Sequence, residues 1–281
     1  MKMKKVHLVA ITAVLAASTA MAKSSSVAGA GSETISETSF FSDKLIANYF
    51  GIFSGPSLGK SGMYQTTGYG DLDPTSPQQL EGYLTVGYKV SDSRMAGIVL
   101  DLIYKPFYGQ DLQMEDPALK IGDSKFISFG GFSDSADLRL FAPTGRDPKI
   151  VNEVTAIQTL HVMSYQIHQS RLSIGSVAAA KVSFFRGNGS GKSTQLYLGP
   201  NVSYQLSRGL SATLLYEMCA RHDYGSNDFF DLTRDGTDLR PGFNWDITPN
   251  FNINPFVNLQ TGNKVNLDTT TFGFFASAKL I

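Results

Sequence analysis

The feature that most constrains this chain is a period-two alternation of apolar and polar residues that recurs along most of its length. In segment 250–260, for example, one face carries Phe251, Ile253, Val257 and Leu259, and the other is rich in asparagine. Successive side chains of a β-strand point to opposite faces, so the pattern predicts strands between two different environments. Many runs exceed the five or six residues typical of soluble strands and match the roughly 9–11 tilted residues that cross a bilayer.

The alternation predicts twelve strands. They are 45–55, 80–90, 95–105, 112–121, 134–142, 151–166, 171–185, 195–206, 210–220, 238–247, 250–260 and 270–280. The count depends on the stretch 112–142, where 126–132 could form an extra strand or 112–121 none. An even number of strands places both ends of the chain on the periplasmic side of the membrane.

The connections alternate between short and long. The short ones are 91–93, 168–170, 207–209 and 248–250, and the long ones are 56–79, 105–112, 186–192, 221–235 and 261–269. Outer-membrane barrels have short periplasmic turns and longer outer loops. A sheet in lipid must also close, because no water satisfies an open edge. The prediction is therefore an all-β transmembrane antiparallel up-and-down β-barrel of about twelve strands; a secreted β-sandwich or soluble barrel is the alternative.

The N-terminal sequence predicts export. Lys2, Lys4 and Lys5 precede an apolar run, 6–17, and a small-x-small site at 20–22, which is the pattern of a cleaved signal peptide over residues 1–22. Residues 23–44 are predicted to be a flexible N-terminal segment, and 45–281 the barrel. Removal of the signal would leave 21 basic against 24 acidic residues, a net charge of −3. The predicted location is the bacterial outer membrane.

Composition excludes several other classes of protein. The full chain has 24 basic and 24 acidic residues, without the basic excess of nucleic-acid-binding proteins. Charged residues make up 17% of the chain, against about 25% in ordinary soluble domains. Such a low fraction is expected if one face of every strand contacts lipid. Cys219 is the only cysteine, so no intrachain disulfide can form.

Motifs that suggest catalysis or ligand binding are better explained as turns and loops. Segment 186–194 is similar to a P-loop, but Arg186 replaces the first glycine and a strand, not a helix, is predicted to follow. His168 and Ser170 fall in a predicted turn, and the acidic segment 223–238 lacks EF-hand spacing. The histidines have no metal-ligand spacing. We therefore expect no catalytic residue, no cofactor and no metal, and no enzymatic activity.

The polar strand faces carry the functional prediction. Fourteen charged residues are predicted to line a lumen: Glu81, Lys89, Asp101, Lys105, Asp137, Arg139, Glu153, Arg171, Lys181, Glu217, Asp238, Arg240, Asp246 and Lys279. Either they border a watery pore, or they pair into ladders that fill the lumen. Eight strands give a packed interior and sixteen a channel, so twelve permits both. Small inward residues such as Gly97, Gly175 and Ala179 favour a pore.

Aromatic residues near the strand ends predict interfacial girdles on the outer face. They are Tyr88, Tyr104, Phe184, Tyr204, Trp245 and Phe251.

The signal segment, the amphipathic strands and the closing segment 269–281 together resemble bacterial outer-membrane β-barrel proteins of the porin-like kind. That family usually ends in an aromatic residue, whereas this chain ends in Leu280-Ile281. The resemblance implies a passive, weakly selective pore for small hydrophilic solutes.

Alternatives are a structural or adhesive barrel acting through loops 56–79 and 221–235, and a barrel-embedded hydrolase. The implied partners are outer-membrane lipid, the barrel-assembly machinery and small solutes, without nucleic acid; the oligomeric state stays open.

Overall fold

The computed structural model describes residues 44–59, 64–66, 72–77, 79–104, 112–145, 152–187, 191–225, 232–261 and 265–281. The predicted signal peptide, almost all of the predicted N-terminal segment, and Lys105 lie outside these residues. The described residues form no helix long and apolar enough to cross a membrane.

The described chain forms fifteen strands. They are β1 Leu45–Ser57, β2 Tyr64–Thr66, β3 Leu72–Pro77, β4 Gln79–Lys89, β5 Arg94–Tyr104, β6 Gln113–Met114, β7 Ala118–Phe129, β8 Phe132–Phe141, β9 Glu153–Gln166, β10 Leu172–Phe185, β11 Lys192–Ser207, β12 Leu210–Asp223, β13 Thr233–Thr248, β14 Phe251–Gln260 and β15 Thr270–Lys279. Strands β2 and β3 pair only with each other within the described residues, and the two-residue β6 adds to β5.

The other twelve strands close into an antiparallel barrel. Their order is β1-β4-β5-β7-β8-β9-β10-β11-β12-β13-β14-β15, and β15 returns to β1. In the closing pair, Tyr49 lies opposite Ala278. Each of these strands thus has a hydrogen-bonded neighbour on both sides, as a spanning sheet requires. The predicted fold class and the strand count are confirmed.

The stretch 112–142 resolves into one long hairpin. Strand β7 ends at Phe129 and β8 begins at Phe132, so 126–132 comprises the end of β7, a two-residue turn and the start of β8, and not an extra strand. Gly130 and Gly131 have φ of +52° and +89°, the left-handed pair that a tight two-residue turn needs. The register shifts between Asp123 and Ile127. Because that irregularity interrupts the period of two, the strand bounds predicted from the sequence, 112–121 and 134–142, differ from the observed ones.

Short and long connections lie at opposite ends of the barrel. The end carrying turns such as 90–93, 130–131 and 208–209 is called the turn end below. The end that carries the longer connections, between β1 and β4 for example, is called the loop end. The predicted alternation of turns and loops therefore holds around the whole ring.

The two faces of the sheet have the opposite polarity to those of a soluble barrel: the outer face is apolar and the inner face is polar. Leu119, Ile121 and Phe129 point outward and are each at least 60% exposed. Buried apolar residues within the described chain are few: Ala47, Val99, Ala118, Ala156 and Phe256. A soluble barrel or sandwich would bury its large apolar side chains. An apolar outer wall is the arrangement of a barrel in lipid.

Candidate pore and its charged clusters

A large cavity occupies the lumen. Its volume is about 1700 Å³. Ser54 and Gln79 border it near the loop end, and Arg208, Pro249 and Lys279 border it at the turn end. The cavity thus extends along most of the barrel.

The predicted lumen residues fall into several groups. Those that line the cavity are Glu81, Arg139, Glu217, Asp238, Arg240, Asp246 and Lys279. Asp137 contacts Arg139, and the register places Asp101 and Lys181 on the same inward face. Lys89 and Arg171 are exposed near the turn end. Glu153 is partly exposed at the start of β9, and Lys105 lies outside the described residues.

One charged cluster joins β7 and β8. Asp137 Oδ2 lies 2.7 Å from Lys120 Nζ and 3.1 Å from Arg139 Nη2. These three side chains are only 14–17% exposed, so each charge depends on the others. The sequence reasoning missed Lys120, although its position between the outward Leu119 and Ile121 is a signal that could have identified it.

A second cluster centres on Arg240 of β13. Its Nη2 lies 2.6 Å from Glu217 Oε2 and 3.2 Å from Asp238 Oδ2. Tyr197 donates a 2.5 Å hydrogen bond to the other oxygen of Glu217. The guanidinium carbon also lies 5.1 Å from the ring centroid of Phe256. One arginine therefore balances two carboxylates, and the planar guanidinium suits this shared contact.

A third group lies on β4, β5 and β10. Tyr83 donates a hydrogen bond to Glu81. The Oδ1 atom of Asp101 is buried and has no hydrogen-bond partner among the described residues. Lys181 Nζ lies 4.7 Å from the ring centroid of Phe141, and the described chain offers this ammonium no carboxylate within salt-bridge distance. Together the three groups form a charged zone in the loop half of the lumen.

The turn half of the lumen is mostly uncharged. Asn48, Asn244 and Asn254 line the cavity there, and Asn252 donates a 2.6 Å hydrogen bond to Asp246. Each of these amides has both hydrogen-bond donors and an acceptor on the lumen wall. Leu160 and Val162 of β9 and Val177 of β10 also line the cavity. The two residues on β9 were not predicted to do so, because the alternation of 151–166 is ambiguous.

The described parts of the motifs that suggested other chemistry lie in turns or at strand ends. The Ser170 hydroxyl donates to the Ile167 carbonyl at 3.0 Å in an exposed turn, next to His168. The P-loop-like segment leads into β11 at Lys192, and not into a helix. Within the described ranges, no three His, Cys, Asp or Glu side chains are grouped so that they could hold a metal ion.

One contact between a serine and a histidine was not predictable from the sequence. Ser193 Oγ lies 2.6 Å from His222 Nδ1 at the loop end of β11 and β12. The same hydroxyl lies 3.0 Å from the His222 backbone carbonyl, and His222 is 7% exposed. The serine is therefore held against the neighbouring strand by two contacts to one residue. The two residues are far apart in the chain, so only strand pairing brings them together.

Comparisons with known proteins agree with the geometry of the barrel. No protein-family model matches the sequence, and no curated protein matches it. Among solved structures, the chain is similar to an outer membrane channel from Pseudomonas putida F1, at 11% identity and a TM-score of 0.54 over 84% of this chain and 95% of that one. The NanC porin matches at 9% identity and 0.48, over 83% and 98%. OmpT, an outer membrane protein of Vibrio cholerae, matches at 10% and 0.41, over 84% and 96%.

The likeness to the Pseudomonas putida channel is one of fold, since so few residues are identical. Together with the closed barrel of twelve strands, it shows that this chain has the fold of outer-membrane β-barrel proteins.

Proposed function

We propose that this chain forms a passive, weakly selective pore for small hydrophilic solutes in the bacterial outer membrane. The observation that carries the proposal is the lumen cavity, which extends from the turns to the strand ends at the opposite mouth. The shared fold with an outer membrane channel supports it by analogy. The proposal includes no catalysis and no cofactor. Lipid contacts the outer face, and the barrel-assembly machinery inserts the chain.

The near balance of charge along the cavity supports weak selectivity. The acids that line it are Glu81, Glu217, Asp238 and Asp246, and the bases are Lys120, Arg139, Arg208, Arg240 and Lys279. Asp137, which contacts two of these cations, makes the two signs equal in number. A pore with paired charges on its wall has a small net field, so neither cations nor anions are strongly excluded.

A structural or adhesive barrel is the second candidate. The observation that favours it is the low exposure of the charged clusters, 12% for Glu217 and 16% for Arg139. Side chains packed this closely could narrow the loop half until no solute passes. Loops would then carry the function. The two candidates differ in a single measurable property, the ion conductance of the folded protein.

Conductance of the purified, folded protein in a planar lipid bilayer tests the proposal. We expect discrete current steps. Asn254 lines the cavity, whereas its neighbour Ile253 belongs to the outward face of the same strand. An Asn254→Trp substitution should therefore reduce the step size, and Ile253→Trp, the matched control, should leave it unchanged. Folded protein that gives no steps would overturn the pore and favour the structural barrel.

A further inference from the structure

The inward face of β7 to β10 carries a lateral row of cations. Lys120 lies opposite Arg139, Arg139 opposite Gln158, and Gln158 opposite Lys181, across four neighbouring strands. Among the described residues, Asp137 is the only carboxylate in salt-bridge contact with these cations. Asp101 of the neighbouring strand β5 offsets part of the Lys181 charge. The excess of positive charge on this wall therefore lies at Lys120 and Arg139, which share the single carboxylate of Asp137.

An apolar patch lies on the same wall, nearer the turn end. We define it by Leu160, Val162 and Val177, all of which line the cavity. Val162 lies directly opposite Val177 in the register, and Leu160 lies between Val162 and Gln158 on the inward face of β9. Asp137 lies directly opposite Leu160 in the register, and its carboxylate is in contact with both Lys120 Nζ and Arg139 Nη2. The two cationic groups are therefore level with Leu160, and Val162 is two residues further along β9, about 7 Å along a strand. These cations and the patch can thus contact one small molecule at the same time.

The facing wall has a different character. Strands β14, β15 and β1 lie six positions around the ring from β8, β9 and β10, and so form the opposite side of the lumen. Asn48, Asn252, Asn254 and Ser277 line the cavity there, as do Phe256, Phe275 and, at the turn end, Lys279. Amide and hydroxyl groups offer hydrogen bonds to any polar solute and favour neither charge sign. Lys120 and Arg139 lie beside the apolar patch on the wall of β7 to β10, so we expect this wall to contribute most of the preference for a particular solute.

We infer that the pore favours small organic anions with an apolar body, such as aromatic or short aliphatic carboxylates; this inference rests on the proposed pore function. The anionic group contacts Lys120 and Arg139 while the apolar body contacts Val162 and Val177. Attraction at the cation row and burial of apolar surface on the patch both lower the barrier to entry. The patch is open to the cavity on one side, so the contact stays weak and the solute can leave.

Reversal potentials in planar bilayers, with potassium benzoate on one side and potassium acetate on the other, test this inference. Acetate is smaller than benzoate, so a wide neutral pore would give a benzoate-to-acetate permeability ratio below one. We expect a ratio above one. Val177→Thr should reduce the ratio towards that of a neutral pore without changing acetate permeability. Lys120→Gln should reduce the permeability of both anions relative to potassium by about threefold, the effect of one partly exposed charge.

Lys89→Gln is the matched control, because Lys89 is an exposed lysine near the turn end. It makes the same change in charge and should leave both measurements unchanged. A wild-type ratio of one or less, in protein that gives discrete current steps, would overturn the inference and leave the pore intact. A ratio above one that Val177→Thr does not alter would overturn it as well, as would anion permeabilities relative to potassium that Lys120→Gln leaves unchanged. The absence of current steps would instead overturn the proposed pore.

Discussion

Asp134 Oδ2 lies 3.1 Å from His161 Nδ1 on the outer face of the barrel. The register pairs His161 with Ala136 and places both Asp134 and His161 out of phase with the inward Asp137. Asp134 is only 4% exposed, and the ring of Phe126 packs against the imidazole with centroids 5.8 Å apart. A carboxylate removed from water is costly unless an opposite charge or a donor lies beside it.

Loss of the imidazole should therefore destabilise the barrel more than loss of the whole pair. For His161→Leu, which leaves the carboxylate without this partner, we expect the free energy of unfolding to fall by about 1–3 kcal/mol. Asp134→Leu combined with His161→Leu should recover most of that loss. Urea unfolding in phospholipid vesicles measures both. A double variant as unstable as the single one would show that the pair is not what stabilises this part of the wall.

The turn between β7 and β8 should depend on its second glycine. Gly131 has a φ of +89°, and a Cβ there would lie 3.2 Å from the Gln166 carbonyl oxygen. We expect Gly131→Val to lower the free energy of unfolding by about 1–3 kcal/mol, because β-branched residues avoid this backbone conformation. Gly130→Asn should be tolerated, since asparagine followed by glycine suits a tight hairpin turn. Equal effects of the two substitutions in urea unfolding would contradict this account of the turn.

Barrel closure should be visible on a gel. The antiparallel pairing of β1 with β15 leaves the ring of twelve strands without an open edge. A closed barrel resists unfolding by detergent, so unheated protein should migrate differently from boiled protein. Gel electrophoresis of the two samples side by side is the measurement. Identical mobility would be evidence against a closed barrel in the folded protein.

The Arg240 cluster should stabilise the loop half of the barrel. Arg240→Gln removes the cation that lies within 3.2 Å of both Glu217 and Asp238, which are 12% and 5% exposed. We expect a lower unfolding temperature and, in bilayers, a shift towards cation preference because the wall loses a positive charge. Arg208→Gln is the control, as Arg208 borders the cavity in a turn. It should shift ion preference without lowering the unfolding temperature. An unchanged unfolding temperature for Arg240→Gln would contradict a stabilising role.

The Ser193–His222 contact should be structural. The hydroxyl lies close to both the imidazole and the backbone carbonyl of the same histidine, so it joins β11 to β12. We expect no covalent labelling by a fluorophosphonate, a reagent that marks activated serines. Mass spectrometry of the treated, folded protein checks this. Labelling that disappears in Ser193→Ala would contradict our expectation and indicate a hydrolase.

Local patterns were sufficient for the architecture but not for the contacts. The strand number, the antiparallel order and the alternation of turns and loops all depend on residues close together in the chain, such as the run 250–260 and the turn at 248–250. The β7–β8 hairpin was the exception, because the irregularity between Asp123 and Ile127 interrupts the alternation. Period two also shows which residues share a face, so charged residues such as Glu217 and Arg240 could be predicted to lie on the inner wall.

By itself, then, the sequence determined a closed barrel with an apolar outer wall and a polar inner one. Only the tertiary structure decided which side chains meet. Lys120 contacts Asp137, and Asp134 contacts His161, because the register aligns strands whose residues are distant in the chain. The cavity is likewise a property of the closed ring. Its volume and its two unlike walls depend on strands that face one another across the lumen. No local pattern in the sequence indicates which strands those are.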